Sequence, residues 1–148
     1  MTWKMICQYA GFFASAAPLG ALAGCAFDAS RTPSEEVDVL VVHGRNDAVV
    51  SFAGVGVPQR DLALAALPYG TPTVLVDDGA HKATRWTTPT GTDLEFWEHD
   101  YVSPSFLLQG HCFPGSTDTG LLGFACSAPN AFTYGDLAIQ FFIAHPKG

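Results

Sequence analysis

The sequence predicts an α/β domain in which helices cover both faces of a mostly buried sheet, and three segments carry that prediction. Residues 37–43 form an almost continuous apolar run, as expected of a strand that is covered on both sides. Residues 58–67 start with Pro58 and continue through Ala and Leu, which favours a helix. Residues 133–144 carry a broad apolar stripe that ends before Pro146, which predicts a closing helix.

The other elements are predicted from the same kinds of pattern. Apolar spacing and turn residues indicate a helix over 2–10, a buried strand over 13–19, a polar connector over 26–36, a short strand over 73–76, and a hairpin that pairs 84–88 with 93–101. No internal repeat interrupts this order. The 148 residues therefore fit a single domain spanning 1–148.

Composition and charge exclude several classes of function. Hydrophobic residues make up 48% of the chain and charged residues only 14%, so a disordered protein is not expected. The net charge is −7 and the seven Lys and Arg residues are dispersed, which argues against a nucleic-acid partner. Residues 1–25 end in a lipobox-like Leu22-Ala-Gly-Cys25, but the apolar run is repeatedly interrupted. We expect neither a processed signal nor a membrane span, and the localisation stays open.

The four cysteines, at positions 7, 25, 112 and 126, do not have the spacing of a structural zinc site. Cys112 and Cys126 flank a loop rich in Gly, Ser and Thr. They are predicted either to form a disulfide that stiffens the loop behind His111, or to be two buried thiols. Cys7 and Cys25 are predicted to be packed thiols.

An acid and a base stand out in the second half of the chain. Asp47 follows the predicted strand 37–43, where α/β sheets place functional residues. His111 lies between Gly110 and the Pro114-Gly115 turn, which leaves the imidazole accessible. We predict that Asp47 orients His111 as a general base, whereas the structural alternatives are a turn aspartate and an exposed loop histidine.

The nucleophile that would complete such a pair is not evident. No Gly-x-Ser-x-Gly occurs in the sequence. Ser51 and Cys112 lie close to Asp47 and His111 along the chain, but neither is on a strand-turn-helix elbow, so we expect neither to be the nucleophile.

These motifs carry a family resemblance. Val39-Leu-Val-Val-His-Gly-Arg-Asn-Asp47 resembles the acid loop, and Gly110-His-Cys-Phe-Pro-Gly115 the histidine loop, of secreted polyhydroxybutyrate depolymerase-like and feruloyl esterase-like α/β hydrolases. The Phe141-Phe142 helix resembles their last helix. The resemblance covers nearly the whole chain but only the C-terminal half of the family's domain. It implies a truncated α/β-hydrolase sheet with flanking helices, without the nucleophile elbow and oxyanion-hole donors.

The resemblance implies a function with two alternatives. The first hypothesis is a hydrolase of carboxylic esters or lactones, in which His111 activates water and Asp47 orients it. Phe113, Phe106 and Trp97 are predicted to line an acyl or aryl groove. The alternative is a non-catalytic truncated half-domain or a binding module for acyl esters.

A further alternative adds a cation. Asp77, Asp78 and His81 could hold Ca²⁺ or Mg²⁺ in a divalent-cation-assisted lactonase, although an Asp-Asp-Gly sequence is more typical of a plain turn. We expect no cofactor. A half sheet would expose an edge strand and an apolar face, so we also expect a homodimer or a higher homo-oligomer.

The remaining histidines are given structural interpretations. His43 is predicted to be bonded locally at the strand end. His99 is predicted to lie on the surface or on a sheet face. His145 is predicted to be a favourable cation near the C-terminus of the last helix.

Overall fold

A mixed five-stranded sheet with the order β1-β2-β5-β4-β3 forms the centre of the molecule. The computed structural model describes residues 2–21, 36–118, 123–127 and 129–147. The strands are β1 (Ser15–Ala16), β2 (Asp38–Gly44), β3 (Thr73–Asp77), β4 (His81–Thr87) and β5 (Asp93–His99). Strands β1, β2 and β5 run parallel to one another, whereas β4 is antiparallel to both β5 and β3.

Helices flank both faces of this sheet, which confirms the predicted α/β class. The helices are α1 (Thr2–Tyr9), α2 (Val57–Ala66) and α3 (Tyr134–Ala144), with a short 3₁₀ turn at Ala10–Phe12 and a π turn at Phe52–Gly56. Within the described ranges, no helix is long and apolar enough to cross a membrane.

Alternate residues of β2 explain why its apolar run is continuous. Val39 and Val41 point to the face covered by α1 and α2, where they share a core with Trp3, Ile6 and Ala63. Leu40 and Val42 point to the opposite face, where they pack with Ala138 and Phe141 of α3. Because side chains alternate along a strand, a strand between two helical layers carries apolar residues on both faces.

The parallel pairing of β2 and β5 brings two loops to one edge of the sheet. The register runs from Val39↔Leu94 to Gly44↔His99, so the two strands end side by side. The loop after β2 carries Asp47, and the loop after β5 leads to His111. The sheet therefore places the predicted acid and base at the same end of the molecule.

The predicted strand over 13–19 is regular only at Ser15–Ala16. Pro18 has no N–H to donate, which interrupts the ladder, although its carbonyl accepts the N–H of Val42 at 3.1 Å. Leu19 then forms a single bridge with Val42. The connector over 26–36 lies outside the described residues apart from its last residue.

The prediction that Cys7 is a packed thiol is wrong, because Cys7 is disulfide-bonded. Separation along the sequence says little about which thiols meet in space, and the prediction had no tertiary information to use. Cys25 and the lipobox-like segment lie outside the described residues.

Candidate active site

Asp47 is a buried carboxylate with three N–H donors. Its Oδ1 accepts the backbone N–H groups of Val49 at 2.8 Å and Val50 at 2.7 Å. Its Oδ2 accepts the Nδ1 hydrogen of His111 at 2.8 Å, and the carboxylate is only 1% exposed. Burial raises the pKa of Asp47, but the hydrogen bonds from His111, Val50 and Val49 outweigh burial and hold the pKa below its usual value. The site therefore contains a fixed anion at neutral pH.

His111 is oriented by that anion. A carboxylate can only accept, so the hydrogen of the neutral imidazole is on Nδ1 and the lone pair is on Nε2. The side chain is 17% exposed, so the ring is accessible from solvent while Asp47 is not. An imidazole in this tautomer is suited to accept a proton at Nε2.

Two glycines interlock the acid loop with the base loop. A Cβ on Gly44 would lie 2.1 Å from the carbonyl oxygen of Gly110, and a Cβ on Gly110 would lie 2.6 Å from the backbone N of Asp47. The N–H of Gly110 donates to Asn46 O at 3.0 Å, and Asp47 forms an antiparallel bridge with Gln109. Main-chain contact therefore limits how closely the two loops can approach each other.

Gly20 packs closely against both members of the pair, and sequence reasoning missed it. Its φ of 47° lies in the left-handed region. A Cβ at this position would be 3.1 Å from Nδ1 of His111 and 3.3 Å from Oδ2 of Asp47. The sequence around Gly20 looked only like a break in an apolar run, because its contact with Asp47 depends on the parallel pairing of distant segments.

A disulfide joins Cys112 to Cys126, with an S–S distance of 2.03 Å. This finding confirms the bridged alternative, and it leaves Cys112 with no thiol to act as a nucleophile. Inside the bridged loop, Phe113 N–H donates to Phe124 O at 2.5 Å. The ring of Phe124 then lies edge-on to His111, with centroids 5.7 Å apart. Phe124 was not predicted, because its contact depends on that loop closure.

The three residues of the predicted groove lie in different places. Phe113 stacks on Phe124 at 5.4 Å, next to an open cleft of about 420 Å³. The ring of Trp97 instead packs on Phe132 at 5.1 Å, in the core beneath α3. Phe106 is 78% exposed. In the described part of the chain, only Phe113 of these three is linked to His111 through an aromatic contact.

The three predicted cation ligands do not lie together. Asp78 Oδ2 lies 2.9 Å from Nδ1 of His81, whereas Asp77 pairs with Lys82 at 3.3 Å. These side chains diverge because neighbouring residues of a strand end point to opposite faces. Among residues 2–21, 36–118, 123–127 and 129–147, no group of three or more His, Cys, Asp or Glu residues could hold a metal ion.

The other histidines have structural partners. His43 is bonded locally as predicted, with Nε2 donating to Val50 O at 2.8 Å. His99 lies on a sheet face but not on the surface, because its ring is buried and stacks on Tyr101 at 5.2 Å. His145 follows α3, and its Nδ1 lies 3.3 Å from Asp38.

Ser51 has a structural role in the same loop. Its hydroxyl accepts the N–H of Gly54 at 3.1 Å and so caps the π turn that precedes α2.

No family model matches the chain, and no match was found among curated proteins. What the site can do must therefore be inferred from its geometry and from the residues that form it.

Proposed function

We propose that this protein hydrolyses carboxylic esters or lactones, with His111 as the general base and Asp47 as the acid that orients it. The observation that carries the proposal is the 2.8 Å contact between His111 Nδ1 and Asp47, a buried carboxylate that accepts three hydrogen bonds. The resemblance of both loops to those of depolymerase-like and esterase-like α/β hydrolases supports the same chemistry.

The proposed reaction starts with proton transfer to Nε2 of His111. In the simplest form, a water molecule loses this proton as its oxygen attacks the acyl carbon, which gives a tetrahedral oxyanion. That intermediate collapses by breaking the bond to the leaving oxygen, which takes the proton back from His111. Asp47 stabilises the imidazolium that exists between the two transfers. Without an evident oxyanion hole, substrates with good leaving groups or ring strain require the least assistance.

Substrate binding is proposed for the aromatic surface beside His111. Phe124 lies against the imidazole, Phe113 stacks on Phe124, and Tyr134 stacks on Phe113 at 6.0 Å. The cleft of about 420 Å³ borders Phe113 and Tyr134. An acyl or aryl group placed there would be held by apolar contact with Phe113, which is linked to His111 through the ring of Phe124.

We also propose that the protein is a homodimer. The outer face of α3 exposes Ile139, Phe142 and Ile143, with 58%, 43% and 74% of their surface accessible. Their spacing of three and four residues places them on one stripe of the helix, where a second copy would cover them. A monomeric mass by light scattering at micromolar concentration would contradict this proposal.

The decisive experiment compares wild type with His111→Ala on a short-chain aryl ester and an acyl lactone, each with and without chelator. We expect hydrolysis by wild type, its loss in His111→Ala, and no effect of chelator. Ser51→Ala is a matched control, since Ser51 only caps a turn. Equal activity in His111→Ala would refute the proposal. Binding of the ester without turnover by folded wild type would identify a binding module instead.

A further inference from the structure

A second imidazole lies against the acid of the proposed pair. His43, near the end of β2, is 1% exposed. Its Nε2 is 3.7 Å from Oδ2 of Asp47, the same oxygen that accepts the hydrogen bond from His111. One carboxylate oxygen is thus approached by two histidines, of which only His111 makes a hydrogen bond to it.

The hydrogen-bond partner of His43 fixes its tautomer. The carbonyl of Val50 can only accept, so Nε2 of His43 carries the hydrogen in their 2.8 Å contact. The other ring nitrogen lies against Gly56, where a Cβ would be only 2.7 Å from Nδ1. The ring of Phe52 meets His43 edge-on at 5.7 Å. His43 is therefore locked between the acid loop and the π turn.

Val50 links His43 to the carboxylate. Its carbonyl accepts from His43, and its own N–H donates to Oδ1 of Asp47 at 2.7 Å. The hydrogen bonds therefore run from His43 through Val50 and Asp47 to His111. We propose that His43 is a positioning residue, which holds the acid loop so that Oδ2 of Asp47 meets Nδ1 of His111.

This role differs from simple filling of the core, because it depends on a donor at one ring position. Loss of that donor leaves the buried carbonyl of Val50 unsatisfied, which loosens the residue whose own N–H, in the preceding peptide group, bonds Asp47. The catalytic consequence rests on the proposed function, but the geometric consequence does not. The titratable groups around this cluster are Asp47, His111 and His99, and the ring nitrogens of His99 have no hydrogen-bond partner among the described residues.

The test compares two substitutions of His43 by amide side chains of different length. The side-chain N–H of His43→Gln can occupy the position of Nε2 and donate to Val50, whereas the shorter side chain of His43→Asn cannot. The first readout is the Nδ1 proton of His111 in the NMR spectrum of the free protein, where its bond to Asp47 slows exchange with water. We expect this resonance in wild type and His43→Gln, and its loss in His43→Asn.

The second readout is the kinetics of aryl ester hydrolysis. We expect kcat to fall by at least about tenfold in His43→Asn, with KM unchanged within about twofold, and to recover in His43→Gln. His99→Gln is the matched control, since it alters another buried histidine that does not bond Val50, and it should retain the resonance of His111.

Three outcomes would overturn the inference. They are an unchanged resonance and kcat in His43→Asn, loss of the resonance in a folded His43→Gln, and loss of the resonance in a folded His99→Gln. If His43→Asn does not fold, His43→Gln and His99→Gln still decide. If wild type has no esterase activity, the proposed function fails, while the resonance still tests the role of His43.

Discussion

Replacing Asp47 with asparagine removes one charge and leaves the shape of the side chain almost unchanged. The amide oxygen can still accept from the backbone N–H groups of Val49 and Val50. In the wild type these groups donate to Oδ1 of Asp47 at 2.8 and 2.7 Å. The amide NH₂ group then faces Nδ1 of His111. Because two donors cannot bond each other, the imidazole must move its hydrogen from Nδ1 to Nε2. The nitrogen that should accept the proton is then already protonated.

The expected magnitudes follow from these contacts. Loss of one charge-assisted hydrogen bond should lower the free energy of unfolding by about 1.5–3 kcal/mol. Under the proposed function, an imidazole in the wrong tautomer should lower kcat/KM by about 10³–10⁴. At about 1.36 kcal/mol per tenfold change, this is a loss of about 4–5.5 kcal/mol in transition-state stabilisation.

Three measurements check Asp47→Asn. Urea unfolding at pH 7 gives the stability, ¹⁵N shifts of the ring give the tautomer of His111, and aryl ester hydrolysis gives kcat/KM. Asp61→Asn is the matched control, because Asp61 is an exposed partner of Arg60 on α2 and should change stability by less than about 0.5 kcal/mol. The reasoning is refuted if His111 keeps its hydrogen on Nδ1 in Asp47→Asn.

Three more predictions concern the surroundings of the pair. Removing the disulfide with Cys112→Ser and Cys126→Ser, which are 14 residues apart, should lower the free energy of unfolding by about 3 kcal/mol in non-reducing urea titrations; a change below about 1 kcal/mol would contradict this. Gly20→Ala adds a Cβ 3.1 Å from Nδ1 of His111 at a positive φ, so we expect kcat to fall at least about tenfold, and wild-type kcat would show that the site tolerates the methyl group. Burial lowers the pKa of His99 to about 4 from 6.5, so the folded state binds fewer protons than the unfolded state between these values. The contribution of His99 to the free energy of unfolding should be fully present above pH 6.5. It should fall by about 3 kcal/mol as the pH drops to 4, at about 1.36 kcal/mol per pH unit. His99→Phe should remove this part of the pH dependence, and an equal decline in that variant would contradict the assignment.

The elements with a strong local pattern were predictable from the sequence. The run over 37–43 corresponds to β2 at Asp38–Gly44, and the helix over 58–67 corresponds to α2 at Val57–Ala66. The meeting of Asp47 and His111 was predicted from the resemblance of the two loops, and the parallel pairing of β2 with β5 explains it, because parallel strands deliver their following loops to one edge of the sheet. Local periodicity therefore predicted the main elements, whereas the pairing of β2 with β5 was not predicted.

The rest of the site depends on contacts between segments that are far apart in sequence. Gly20 reaches Asp47 only because its segment pairs with β2, and Phe124 reaches His111 only because the disulfide folds its loop back. Trp97 shows the converse error, since its nearness to His111 in sequence suggested a shared groove, whereas its ring packs beneath α3. Side-chain direction along a strand, rather than distance along the chain, determines which residues meet.

The close approach of Gly44 to Gly110 makes the spacing of the acid and base loops independent of the aromatic side chains beside them. Because main-chain contact fixes the spacing of the acid and base loops, the aromatic side chains between the two cysteines do not have to maintain that spacing. Under the proposed function, exchanging Phe113 should alter substrate preference and leave the contact between Asp47 and His111 intact. The same contact limits the length of both loops, since an insertion in one cannot be accommodated unless the other moves away.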